Sequence, residues 1–263
     1  MAKSVGKSIA ISPFRALVID MMHFSMKVPT VTLDRQMNLA PLVLARRRCN
    51  PRLSWSALFI KAYSIVAARQ PLLRRCYLSL PWPRFYEHPK NIAAFNVSRR
   101  VDDEDIVVQG QIRSPENRSL VELDAIVRGY KEMPVEEIQA YRRVMRVGRL
   151  PGWLRRYLWW STLNWIGRRR CHNLGTFGIT SVAEHGAGLL NLVPLLTTTL
   201  HYGLLDEKGS LNMRYAFDHR VLDGAPAAEA LTSLETTLLG EILDEVRSIR
   251  QADVLPMPGV ESA

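Results

Sequence analysis

The stretch "FDHRVLDG", Phe217 to Gly224, sets one histidine between two aspartates and closes on a glycine. A free imidazole titrates near ~6.5 and is mostly neutral at pH 7, so it accepts a proton readily. A thiol near ~8.5 lies about two units higher, and passing its proton to the ring is uphill by only ~3 kcal/mol. His219 is therefore a candidate general base for activating a thiol. The plainer alternative is a histidine that satisfies backbone groups at the end of a sheet. Asp223, four residues on, has two roles open to it: orienting the ring, or bracing the turn through an arginine. The second role is open to Asp218 as well.

The elements that must hold such a ring are legible around it. "LNMRYAF" leads into the motif as a strand, "GTFGITSV" and "TTTLHYGLL" are β-rich, and "DEKGS" is a turn. After Gly224, Pro226 suits a first helical turn, and Leu231, Leu234, Leu238, Ile242, Val246 and Ile249 draw one long apolar stripe. Toward the N-terminus, Phe14, Leu17, Val18, Met21 and Met22 recur at helical spacing behind Pro13. "VPTVTLD" alternates as a strand, and "SWSALFIKAYSIVAARQP" is apolar nearly all round, which predicts a buried helix stopped by Pro71. "NIAAFNVSRR" and "DIVVQGQIR" read as strands joined by acidic turn residues. Ser119 to Glu122 has the form of a capping box opening a helix. The order of elements predicts an α/β fold, with residues 1–12 as an N-terminal tail, 13–250 as one domain and 251–263 as a frayed C-terminal tail.

Composition narrows the function classes. The 263 residues carry 35 Lys and Arg against 25 Asp and Glu, so anionic partners are favoured. "VGKS" lacks the earlier glycine of a phosphate-binding loop, and neither G-x-S-x-G nor a complete G-x-G-x-x-G occurs. Three cysteines without paired spacing predict reduced thiols in a cytoplasmic protein, and Cys171-His172 has no second pair with which to hold zinc, so no metal is expected. The N-terminus makes a poor signal peptide, and no apolar run approaches the ~20 residues that span a bilayer. No nucleic-acid-binding module accompanies the charge.

Residues 142–170 break the alternation with nine arginines and four tryptophans, and no Asp or Glu occurs from Ile138 through Ala183. A helix from about Gly152 to Gly167 brings Trp153, Leu154, Tyr157, Leu158 and Trp160 toward overlapping faces framed by arginine. Two roles stand open for it: peripheral contact with an anionic membrane, or an accessory helix docked on the domain or a neighbouring subunit.

The D-H-R-x-x-D-G motif behind a β-rich segment and before a leucine-striped helix resembles the catalytic domain of the acyltransferase component of 2-oxo-acid dehydrogenase complexes, a relative of chloramphenicol acetyltransferase. "VPTVTLDRQMNL", "LSWSALFIKAYSIVAARQPLLR", "NIAAFNV…DIVVQGQI" and "GTFGITSV" follow that family's order, covering about residues 13–250 with 142–170 as an insertion. The resemblance implies a chloramphenicol acetyltransferase-like mixed sheet flanked by helices, and a homotrimer, alone or built into a cubic particle. It further implies an active site between subunits, where acyl-CoA meets a thiol. His219 matches the general base, Thr180 the hydroxyl that stabilises the tetrahedral intermediate, and Asp223 the motif's closing acid; Ser181 is the fallback donor. Coenzyme A is the implied substrate.

No lipoyl or subunit-binding domain and no lipoyl-bearing lysine motif is expected in this chain. The acceptor is thus a lipoyl domain or carrier protein in trans, a small thiol, an amine or a hydroxyl. The 142–170 arginines offer planar donors to CoA phosphates. A non-catalytic assembly protein that kept the fold is the competing class.

Overall fold

The computed structural model describes residues 6–101, 103–183 and 186–254. Helix α1 (Pro13–Ser25) starts where expected, because Ser12 Oγ accepts the Arg15 N–H at 3.0 Å and Pro13 needs no donor there. Strand β1 (Thr30–Asn38) and a short helix α2 (Ala40–Arg47) lead to α3 (Trp55–Arg69), capped by Ser54. A hairpin, β2 (Arg75–Leu78) with β3 (Arg84–Glu87), precedes the long ribbon β4 (Ile92–Val101) and β5 (Glu104–Arg113). Helix α4 (Leu120–Glu132) opens on the complete Ser119/Glu122 capping box. After α5 (Gln139–Gly148), α6 (Gly152–Asn164) and α7 (Gly167–Leu174) come β6 (Phe177–Thr180), β7 (Thr198–Tyr202) and β8 (Ser210–Asp218). Helix α8 (Gly224–Thr237) continues through a π-helical turn, Leu238–Ile242, into α9 (Leu243–Val254).

Among the described residues six strands form one mixed sheet in the order β1-β8-β7-β6-β4-β5. The β4/β6 and β6/β7 pairs are parallel and the others antiparallel. This is the mixed, helix-flanked sheet that the motifs imply. The main core lies between its inner face and α3, α4, α8 and the π turn, where Phe59, Tyr63, Phe177, Tyr215 and Phe217 are buried. Within it the Tyr63 hydroxyl meets Thr198 Oγ1 at 2.9 Å and the Tyr215 hydroxyl at 2.6 Å, so the buried phenols satisfy one another. Burial pushes the pKa of both upward.

Two expectations change. Residues 142–170 hold three helical segments instead of one: Pro151, in extended conformation, separates α5 from α6, and extended Ile166 separates α6 from α7. Gly167, the first residue of α7, sits so close to the Tyr86 ring that a Cβ has no room there. At the other end the chain stays helical through Val254, past the expected start of a tail at 251, because helix α9 carries on from the buried stripe. The remainder of that tail, 255–263, and residues 1–5 lie outside the described residues.

Candidate active site

The turn after β8 is held almost entirely by Asp218 and Arg220. The Asp218 carboxylate is fully buried and receives a bidentate fork from Arg220, Nε to Oδ1 at 2.8 Å and Nη2 to Oδ2 at 2.7 Å. The Arg220 backbone N–H donates to Oδ1 at 3.0 Å, and the guanidinium lies 4.7 Å over the Tyr77 ring. The carbonyl of Asp218 accepts from Val221 and Leu222, while the N–H of His219 donates to Pro29 O at 2.9 Å. The backbone on both sides of His219 is therefore pinned, and the ring leans on Phe217 at 5.8 Å.

Asp223 takes the other role. It stands at the N-cap of α8 in extended conformation and makes no side-chain cap bond. Its Oδ1 instead faces His219 Nδ1 at 3.4 Å, a charge-pair distance longer than a hydrogen bond. That contact engages Nδ1 and leaves Nε2 for outside groups, on a side chain 45% exposed.

Thr180 ends β6 and belongs to a row that crosses four strands: Thr180 pairs with His201, His201 with Arg214, and Arg214 with Asp34. His201 is fully buried. Its Nδ1 donates to Thr180 O at 3.2 Å, and its Nε2 accepts the Leu189 N–H at 3.0 Å. These partners describe a neutral ring, and burial, helped by Arg214, pushes its pKa down against the bond to Thr180. Arg214 in turn reaches Leu189 O at 2.5 Å and Asp34 at 3.7 Å. The row fixes the strand end that carries Thr180 and the loop beyond it. His201, Arg214 and Asp34 were not singled out from sequence, because strand pairing alone makes them neighbours. Among the described residues the Thr180 hydroxyl has no hydrogen-bond partner. The Ser181 hydroxyl is committed, donating to Tyr202 O at 2.9 Å and accepting from Ala183 N–H at 3.2 Å.

One chain does not bring His219 and Thr180 together. Thr180 is level with Arg214 two strands away, and His219 lies five residues beyond Arg214. Strand geometry of ~3.3 Å per residue and ~4.8 Å per strand separates them by roughly 15–20 Å. A site that uses both groups takes them from two copies of the chain.

Among the described residues no group of three or more His, Cys, Asp or Glu could hold a metal ion, and no helix is long and apolar enough to cross a membrane. Cys171 instead lies buried with Cys76.

No protein-family model matches the chain, and no curated protein matches its sequence. Solved structures do match it. A dihydrolipoamide acetyltransferase from Azotobacter vinelandii superposes with a TM-score of 0.66 at 17% identity, covering 94% of this chain and 95% of that one. A probable dihydrolipoamide acetyltransferase from Listeria monocytogenes gives 0.63 at 16%, covering 89% and 94%. The chain shares the fold of dihydrolipoamide acetyltransferase cores. The truncated catalytic core of a 2-oxoacid dehydrogenase multienzyme complex from Thermoplasma acidophilum agrees, at 0.65 and 14% identity over 89% of this chain and 99% of that one. The match spans 89–94% of this chain and 94–99% of those three structures, so the likeness of fold extends over nearly the whole of each.

Proposed function

We propose that the protein is a CoA-dependent acyltransferase, assembled as a homotrimer, with His219 as the base and Thr180 of an adjacent copy as the oxyanion donor. The observation that carries this reading is the His219–Asp223 pair on a turn locked by Asp218 and Arg220, in a fold shared with acetyltransferase cores. Enzymatic work on the Azotobacter protein concerns a serine, a histidine and an asparagine in its catalytic mechanism, the last two four positions apart. His219 and Asp223 keep that spacing, with a carboxylate in place of the amide.

In this mechanism Nε2 of His219 takes the proton of the acceptor thiol, and the sulfur attacks the thioester carbonyl. Asp223 faces the imidazolium that forms. The carbonyl oxygen becomes an oxyanion and receives the uncommitted Thr180 hydroxyl. Collapse breaks the bond to the CoA sulfur, which leaves with the proton held by His219. The Thermoplasma core belongs to a multienzyme complex, and another matched structure is the cubic core of a pyruvate dehydrogenase complex, which supports trimers able to build a larger particle.

The test is conversion of acyl-CoA to free CoA and acylated dihydrolipoamide, resolved by chromatography over a panel of acyl-CoAs, for the wild type and His219→Ala. A loss of about 10²–10⁴-fold in the variant is expected for a general base. Equal conversion by the two proteins with every donor would establish the non-catalytic assembly role instead.

A further inference from the structure

Helix α6 is apolar on both sides, and the body of the protein covers only one of them. Leu163 is buried and Leu154, Leu158 and Trp159 are half-buried on the inner side, whereas Trp153, Tyr157 and Trp160 face outward at 73%, 50% and 40% exposure. A contiguous exposed apolar stripe rimmed by polar residues marks a surface that meets a partner or a membrane. The helix is not free to roll and hide them. Buried Asp20 of α1 pairs with Arg155 at 2.7 Å and Arg156 at 3.3 Å, Arg155 also donates to Leu150 O at 2.8 Å, and the Leu80 N–H holds Asn164 O at 3.0 Å.

The outward stripe does not stop at α6. Trp165 and Ile166 are exposed at its end, and Arg84, which donates to Trp165 O at 2.9 Å, lies 5.9 Å over the exposed Trp82 ring. On the opposite flank exposed Ile11 and Ile19 share a cleft of about 460 Å³ with Arg149, Arg155 and Arg156.

Charge identifies what covers this surface. The nine arginines of residues 142–170, matched there by no acid, account for nine of the ten surplus positive charges of the chain. Asp20, the carboxylate within reach of the stripe, is already divided between two of them. Arg142, Arg146, Arg149, Arg168 and Arg169 are exposed on the flanking helices and connections. A two-fold contact between copies through this face sets arginine against arginine and is opposed by its own charge.

We propose that the outer face of α6, with its flanking arginines, docks on an anionic phospholipid bilayer. Tryptophan and tyrosine rings sit at the headgroup level, where one end of the ring is wet and the other apolar. Guanidinium groups extend past them to the lipid phosphates, which suit their planar fork. The helix lies in the plane of the interface and inserts its aromatic edge only.

The full-length protein is floated with phosphatidylcholine vesicles containing about 30% phosphatidylglycerol, and with phosphatidylcholine alone, at ~0.15 M salt. Binding to the anionic vesicles and little to the neutral ones is expected. Trp153→Ser with Trp160→Ser, and separately Arg168→Glu with Arg169→Glu, should each lower the bound fraction at least ~10-fold while leaving the native mass and circular dichroism unchanged. No binding by the wild type, or binding that both pairs of substitutions leave intact, overturns the proposal. So does a fall in native mass on removing the tryptophans, which would make the stripe a contact between copies. Because the readout is vesicle binding, it is independent of acyl transfer, and an inactive protein that still binds leaves this inference standing.

Discussion

The turn around His219 and the outer face of α6 are both exposed, and they are built in opposite ways. At the turn the chain supplies partners for the supporting groups: Asp218 is sealed against Arg220, the His219 N–H is bonded to Pro29, and what remains exposed is one imidazole edge with a carboxylate beside it. At α6 the buried Asp20 is paired with Arg155 and Arg156, and what stands exposed is aromatic carbon flanked by guanidinium groups. An exposed polar group on a rigid support is poised for chemistry. An exposed apolar stripe on a rigid support is poised for a cover. Exposure by itself therefore says little until the bonding beneath it is known.

Substitutions can break this contrast or sharpen it. The largest effect after His219 itself is expected at Thr180. Thr180→Ala should slow acyl transfer about 10²–10³-fold without unfolding, while Thr180→Ser, which keeps the hydroxyl, should stay close to the wild type. Mixed oligomers of His219→Ala and Thr180→Ala chains should recover activity that neither has alone; failure to recover any would place the two groups in separate roles.

Next comes the support of the turn. Asp218→Ala leaves Arg220 without its partner and should cost about 3–5 kcal/mol, read as a lowered denaturation midpoint. A smaller effect is expected from pH. His201 is buried with a depressed pKa, so below about 6.5 the unfolded chain binds a proton that the folded chain refuses. Stability is therefore complete above that value and declines as pH falls, by at most about 1.4 kcal/mol per unit for this one group. The slope of thermal midpoint against pH should flatten in His201→Gln. Smallest of all, Trp153→Ser should change thermal stability by no more than about 0.5 kcal/mol and leave the rate untouched, since its ring packs on nothing within the chain that the turn requires.

How far the molecule could be read from its residues differs between these regions. Helices α1, α3 and α4 and the β4–β5 ribbon were legible because caps, proline stops and side-chain period are local signals. The motif around His219 was legible for the same reason, down to the spacing of its acids. Its division of labour was not: Asp218 and Asp223 are equally good carboxylates on paper, and burial of one beside Arg220 is decided by where β8 ends against Thr197 and Pro29. In residues 142–170 the arginines and tryptophans were plain, yet the need for glycine at 167 comes from the Tyr86 ring, more than seventy residues away in the chain.

The amino-acid order on its own determined the six strands of the main sheet, the buried helix and the presence of an imidazole in a tight turn, since these depend on neighbours within a few residues; the β2–β3 hairpin was not read from it. Tertiary structure alone decided that Thr180, His201, Arg214 and Asp34 form one row, and that this row lies five residues along β8 from His219. The reason is strand register: a shift of one residue in pairing exchanges every side chain between faces, and nothing local to any one strand records which partner it will meet.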